Sequence, residues 1–162
     1  MHQTFSPKEV EIISSVTTVK QRDLRRRGII AARTTEGQTK YSLPDLAFFL
    51  ALNVLCEQNI TVSVAAEMAG KTAVRIAALA LDYWMKYVNQ KIENLEPPSP
   101  KFHCFYCDAD NRIQDFETGD LTEAFHSQAV EHNTLIPACV VLDTRYLAAV
   151  ILERVNKPLI IE

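Results

Sequence analysis

Seven apolar residues recur between residues 74 and 95 at alternating spacings of four and three, the pattern of a helix with one continuous apolar stripe. The stripe consists of Val74, Ala78, Leu81, Met85, Val88, Ile92 and Leu95. Thr72 can cap the start of such a helix, and prolines at 97, 98 and 100 end the pattern. The spacing therefore predicts one long helix over residues 72–95 and favours a mainly helical fold.

The predicted length of this helix indicates which surface its apolar stripe packs against. A helix over residues 72–95 is about 36 Å long, and a preceding domain of roughly 65 residues does not easily cover that distance. Part of the apolar stripe then needs another surface, and a second copy of the chain is the simplest one. We therefore expect the stripe to form the interface of a homodimer. The alternative is an amphipathic helix that lies along its own domain.

The segment before this helix is strongly basic. Residues 16–41 hold seven Lys or Arg against two acidic residues, a local charge of +5 in a chain whose net charge is −3. A basic segment within an acidic chain is typical of a surface that meets a polyanion, most commonly a nucleic acid. The alternative is a solvated basic face on an ordinary helical bundle.

Helix and turn signals divide the basic segment. A helix is predicted to begin at Ser6, and a second at Thr18, which has capping-box spacing to Gln21. Gly28 is the natural stop of the second helix. Residues 33–41 then read as a short hairpin that places Arg33 and Lys40 on opposite arms. Two short helices followed by a basic hairpin predict a winged helix-turn-helix, which further helices from Ser42 and from Thr61 to Gly70 complete.

The spacing of these residues resembles a known family. Over about residues 5–95 the chain is similar to the MerR-type winged-helix transcriptional regulators. The matching positions are Val16, Arg22, Gly28-Ile29-Ile30, Arg33, Gly37-x-x-x-Tyr41, Asp45-Leu46, Leu52, Leu55, Ile60 and Ala65-Ala66. Two positions depart from the family pattern: Asp23-Leu24 replaces a tyrosine pair, and Thr39 replaces a wing arginine. These departures concern the DNA sequence preference and the promoter-untwisting mechanism, not DNA binding.

The resemblance implies roles for individual residues. Arg22 and Arg25 would approach DNA from the recognition helix, while Arg33, Lys40 and Tyr41 would hold phosphates through the hairpin, and the long helix would pair two copies. Independently, forked donors in the N-terminal half of a recognition helix suit base contacts. The complete predicted DNA-binding set is Thr18, Lys20, Gln21, Arg22, Arg25, Arg26, Arg33, Lys40 and Tyr41.

The segment after the prolines reads as a small α+β domain. Strands are predicted over 101–107, 112–117 and 136–142, with one helix from Asp120 to about His132 and another capped by Asp143. The predicted division of the chain is a DNA-binding domain over 5–70, a dimerisation helix over 71–96 and this domain over 101–162. We expect the third part to bind a small-molecule ligand, a partner protein or its own second copy.

Cys104-x-x-Cys107 beside His103 is the one chemical motif of the C-terminal segment. Zinc needs two further ligands, which His126, His132 or Cys139 could supply. A redox pair and plain structural cysteines are the other interpretations. Because alternate residues of a strand face opposite sides, the structural interpretation predicts one buried and one exposed thiol. We expect no metal and no cofactor.

No arrangement of catalytic residues is apparent in the sequence, so we expect a protein that is not an enzyme. The sequence predicts a bacterial or phage transcriptional regulator that binds an inverted-repeat operator in double-stranded DNA as a homodimer. A phage-type architectural protein, such as an excisionase or small terminase subunit, and a protein–protein adaptor are the alternatives. No apolar run is long enough to span a bilayer, and residues 1–14 lack the apolar centre of a signal peptide. We therefore expect a cytoplasmic, nucleoid-associated protein without membrane contact.

Overall fold

The computed structural model describes residues 3–31, 33–35, 38–88, 101–108, 110, 112–131, 139–155 and 157–159. This part of the chain is mainly helical, as predicted. The helices are α1 (Pro7–Ser14), α2 (Thr18–Arg26), α3 (Leu43–Glu57), α4 (Val62–Val88), α5 (Leu121–Glu131) and α6 (Thr144–Arg154). The strands are β1 (Arg33–Thr35), β2 (Gln38–Lys40), β3 (Phe102–Cys107), β4 (Ile113–Thr118) and β5 (Val140–Asp143).

The two N-terminal helices meet at a tight turn. Ser6 and Glu9 form the predicted capping box of α1, and Ser15 ends this helix in the left-handed conformation with φ 63°. The cap of α2 differs from the prediction: Thr17, and not Thr18, accepts a hydrogen bond from the Lys20 amide. The turn comprises residues 15–17, and the side chain of Val16 at its centre is buried in the core.

The predicted hairpin is present and is fixed to the core by its second arm. β1 and β2 are antiparallel and place Arg33 and Lys40 on opposite arms, as predicted, and the observed register pairs the two residues. Tyr41, next along the chain, pairs with Phe5 through two backbone hydrogen bonds of 2.8 and 2.9 Å. The segment before α1 therefore holds the base of the hairpin.

One helix replaces the two that were predicted over residues 61–95. α4 runs without interruption from Val62 to Val88, so the predicted stop at Gly70 is wrong. The inward face continues through this position, because Ala69, Ala73 and Ile76 are all buried. Thr72 is likewise buried and does not cap a helix: its hydroxyl donates to the Met68 carbonyl one turn earlier, at 3.0 Å.

The C-terminal segment packs on the N-terminal helices. Its three strands form an antiparallel sheet in the order β4-β3-β5. Phe105 of β3 and Ile151 of α6 belong to the same hydrophobic cluster as Phe49 of α3 and Ile76 of α4. The described parts of the predicted 5–70 and 101–162 domains thus share one core. The predicted strand residues 136–138 and the helix residues 89–95 lie outside the described part of the chain.

Polar contacts also join the end of the chain to α1. Arg154 of α6 donates to the Ile13 carbonyl at 2.7 Å. Lys157 donates to the Thr4 carbonyl at 3.0 Å and forms an ion pair with Glu9. The pKa of Glu9 lies below its usual value: burial raises it, but the hydrogen bonds from Lys157 and Ser6 outweigh that effect. The C-terminal segment therefore braces the helix on which α2 rests.

None of the helices that the structure describes combines the length and hydropathy needed to cross a membrane.

The continuity of α4 can be tested at Gly70. This glycine is exposed inside the helix, and nothing lies within 4 Å of the place that a Cβ would occupy. We expect Gly70→Ala to stabilise the protein by about 0.5–1 kcal/mol, because alanine loses less backbone entropy in a helix. Urea denaturation followed by circular dichroism measures the change in the free energy of unfolding.

Gly28→Ala is the matched control for this substitution. Gly28 has a φ of 70°, so alanine there is expected to destabilise by about 1–2 kcal/mol. A comparable loss of stability in Gly70→Ala would show that a helix ends at Gly70 in solution and would contradict a continuous α4.

Candidate nucleic-acid interface

Helix α2 has one buried face and one outward face. Gln21 and Leu24 point into the core, where both are 1% exposed. On the opposite face, four residues at helical spacing line one shallow surface depression. These residues are Val19, Arg22, Asp23 and Arg26. The outward face is therefore the part of α2 that a ligand can reach.

Gln21 is not among the outward-facing residues of α2, so its predicted role in contacting DNA bases is wrong. Its side-chain amide donates to the Pro7 carbonyl at 2.9 Å and to the Val16 carbonyl at 2.8 Å. The Pro7 carbonyl belongs to the first turn of α1, and the Val16 carbonyl belongs to the turn between α1 and α2. Gln21 thus holds α2 against α1. The sequence places Gln21 between two basic residues and gives no sign of its burial.

Tyr41 is also a core residue, and its predicted role as a phosphate ligand is wrong. Its side chain is 1% exposed and meets the Phe49 ring edge to face, with ring centroids 5.1 Å apart. Burial raises the pKa of Tyr41 above its usual value, although the nearby charge of Arg25 lowers it in part. Tyr41 therefore supports the base of the hairpin by packing in the core.

Arg25 links α2 to the hairpin. Its Nη1 donates to Thr39 Oγ1 on β2 at 2.8 Å, and its Nε is buried with no partner among the described residues. The guanidinium is thereby held between the two elements, so Arg25 is a positioning residue. Thr39 was not predicted to have a role. Thr39 lies 14 residues after Arg25, and no sequence pattern links the two, because only the fold brings them together.

The remaining basic residues differ in how they are paired. Arg26 donates to Asp23 at 2.7 Å, and Arg27 lies 3.7 Å from the same carboxylate. Arg22 is exposed and forms no ion pair with any described residue. Among the outward-facing cations of α2, Arg22 therefore has the charge that is most available to an anionic ligand.

Three other predicted residues flank this surface. Thr18 and Lys20 are partly buried in the first turn of α2. Lys40 is partly buried on β2, and its backbone partner is Arg33, whose side chain lies outside the described residues. The surface formed by the outward face of α2 and by β2 is called the basic face below, and its described cations are Lys20, Arg22, Arg26 and Lys40.

The described part of the predicted apolar stripe lies on the outer side of α4. Val74 is 68% exposed and Met85 is 43% exposed, Ala78 is exposed, and Leu81 is partly buried. Ile76 and Ala80, on the opposite side of the helix, are buried in the core. The Val88 side chain, Ile92 and Leu95 lie outside the described residues. Three of these four positions are thus exposed, whereas Leu81 packs against the core of its own chain.

A polar network that is buried at Thr72 and His103 and exposed at Lys71 and Asp115 joins α4 to the sheet. His103 Nε2 lies 2.9 Å from Asp115 Oδ2, and its Nδ1 lies 3.2 Å from Thr72 Oγ1. Asp115 also forms an ion pair with Lys71. Burial raises the pKa of Asp115, but the hydrogen bonds from Lys71 and His103 outweigh this effect and lower it below its usual value. Both Thr72 and His103 are buried, so the network fixes β3 and β4 on α4.

The two cysteines of the C-x-x-C motif face opposite sides of β3. Cys104 is buried and Cys107 is exposed, as predicted for structural cysteines. Burial, together with the neighbouring Cys139, raises the pKa of Cys104 to about 12, so its thiol is protonated near neutral pH. Over the residues that the structure describes, no group of three or more His, Cys, Asp or Glu is placed to hold a metal ion. His132 lies outside those residues.

Comparisons of the chain with protein-family models and with curated proteins found no match.

Proposed function

We propose that the chain is a DNA-binding transcriptional regulator that uses its α1–α2 helix pair and hairpin as a winged helix, in the manner of the MerR-type proteins that its sequence resembles. The observation that carries the proposal is the basic face. α2 presents an accessible Arg22 that forms no ion pair with any described residue, and Arg25 joins this helix to the hairpin at the Thr39 hydroxyl. A helix and a hairpin that are held side by side can contact a DNA groove and the sugar–phosphate backbone next to it, respectively.

The two parts of the basic face have different roles in this proposal. The outward face of α2 enters the major groove, whose width admits a helix, and Arg22 reaches base edges there. Lys40 and Arg33 on the hairpin contact the neighbouring phosphates, which supply affinity without sequence information. Gln21 and Arg25 do not touch DNA, since their contacts set the orientation of α2 against α1 and the hairpin.

The outer side of α4 supports the second part of the proposal, a homodimer. Val74, Ala78 and Met85 are exposed at heptad spacing on the side of α4 that the core leaves open. A second copy would cover this stripe in an isologous contact. Two copies carry two basic faces, so the proposed DNA site is an inverted repeat with one half-site for each chain.

DNA binding is tested by measuring the affinity for duplex DNA against salt concentration. Because each neutralised phosphate releases counterions, the logarithm of affinity should fall linearly with that of salt, with a slope of about −0.9 for each contact. Lys40→Ala should weaken binding to all sequences and make the slope shallower by about 1. Arg22→Ala should cost about 1–3 kcal/mol on the preferred site and less on random DNA.

Lys8→Ala is the matched control, because Lys8 is an exposed cation of α1 that pairs with Glu11 away from the basic face. It should leave both affinity and slope unchanged. If the unmodified protein bound duplex DNA without salt dependence, or not at all, the proposed function would be wrong. Equal effects of Lys8→Ala and Arg22→Ala would show that binding follows net charge and does not use the basic face.

The dimer is tested by charging the exposed stripe. Val74→Lys with Met85→Lys should give a folded monomer, because both side chains are exposed and neither contributes to the core. Sedimentation equilibrium at micromolar concentration measures the mass. Ile12→Lys, which charges an equally exposed apolar position on α1, is the control and should remain a dimer. A monomeric unmodified protein would contradict this part of the proposal.

A further inference from the structure

We propose that Val19 is a base-reading residue that recognises the 5-methyl group of a thymine beside the base contacted by Arg22. The inference rests on the proposed function and adds to it a residue and a chemical group on the DNA. It follows from three features of α2: where Val19 lies, what surrounds it, and which of its neighbours are already paired.

The position of Val19 is the first feature. Val19 is the second residue of α2, in the N-terminal turn, and its side chain is 68% exposed. When a recognition helix enters the major groove, the residues near its N-terminus are the ones that contact base edges. An apolar side chain at that place has one suitable partner in the groove, because the thymine methyl is the apolar group of the major-groove edge.

The pairing within the surface depression is the second feature. Of its four lining residues, Asp23 and Arg26 are joined by an ion pair of 2.7 Å. Val19 and Arg22 are left to meet a ligand. They are three residues apart and therefore lie on one side of the helix, about 4.5 Å apart along its axis. That separation lies between the rise of one and of two base pairs, at about 3.4 Å per pair, so a thymine beside the base contacted by Arg22 is in reach.

The stiffness of Val19 is the third feature. A β-branched side chain in a helix has one strongly preferred χ1 rotamer. Covering it therefore costs little side-chain entropy, and the contact is available without rearrangement. Burial of one methyl group against it corresponds to an affinity gain of about fourfold. The expected effect is modest, but it is confined to one thymine in each half-site.

The experiment removes the methyl group from the DNA and the valine from the protein. The preferred duplex is first selected from a random library with the unmodified protein. Each thymine is then replaced in turn by deoxyuridine, which lacks only the 5-methyl group, and the dissociation constants are measured for the unmodified protein and for Val19→Ala. At one thymine per half-site, deoxyuridine should weaken binding of the unmodified protein about fourfold and leave binding of Val19→Ala unchanged.

Ile12→Ala is the matched control, since Ile12 is a similarly exposed apolar residue on α1, outside the depression. It should keep the full response to deoxyuridine. A solitary exposed valine is common on protein surfaces and is the competing explanation. That explanation holds, and the inference fails, if deoxyuridine has no effect at any position or the same effect on Val19→Ala. The proposed function survives both results, whereas a protein that does not select or bind any duplex overturns the function and the inference together.

Discussion

The burial of one face of α4 is the interaction on which the rest of the structure depends. This face receives α3 on one side and the sheet with α6 on the other, so that Phe49, Phe105 and Ile151 meet in one cluster with Ile76. Because the inward face continues past Gly70, the helix does not end there, and its outer side remains exposed at Val74, Ala78 and Met85. The same helix thus forms the core and presents the stripe proposed for dimerisation.

The orientation of the basic face depends on groups that do not belong to it. Gln21 fixes α2 to α1 through two backbone carbonyls, and Arg25 fixes it to the hairpin through Thr39. Tyr41 supports the hairpin from the core side. In turn, α1 is held by Arg154 and Lys157 from the end of the chain. If the proposed function is correct, substitutions at these positions change DNA binding through the position of α2, without removing a contact to DNA.

Local signals predicted the elements well, because those signals act over three or four residues. The helix starts at Ser6 and Ser42, the cap at Asp143 and the placement of Arg33 and Lys40 on opposite arms of a hairpin are all present. The predicted helix end at Gly70 is wrong because a glycine ends a helix only where tertiary contacts do not stabilise its continuation. The burial of Gln21 and Tyr41 could not be predicted, since it follows from packing between elements. The contacts of Arg25 with Thr39 and of His103 with Thr72 and Asp115 join residues far apart in sequence.

The central claim is that the outward face of α2, together with the hairpin, is the surface that meets duplex DNA. Backbone amide chemical shifts, measured as a selected duplex is added to the isotopically labelled protein, test it most directly. The account predicts that the largest shifts occur at Val19, Arg22 and Lys40, while the amides of β4 and α5 change little. Shifts concentrated on β4 or α5, with α2 unchanged, would contradict it.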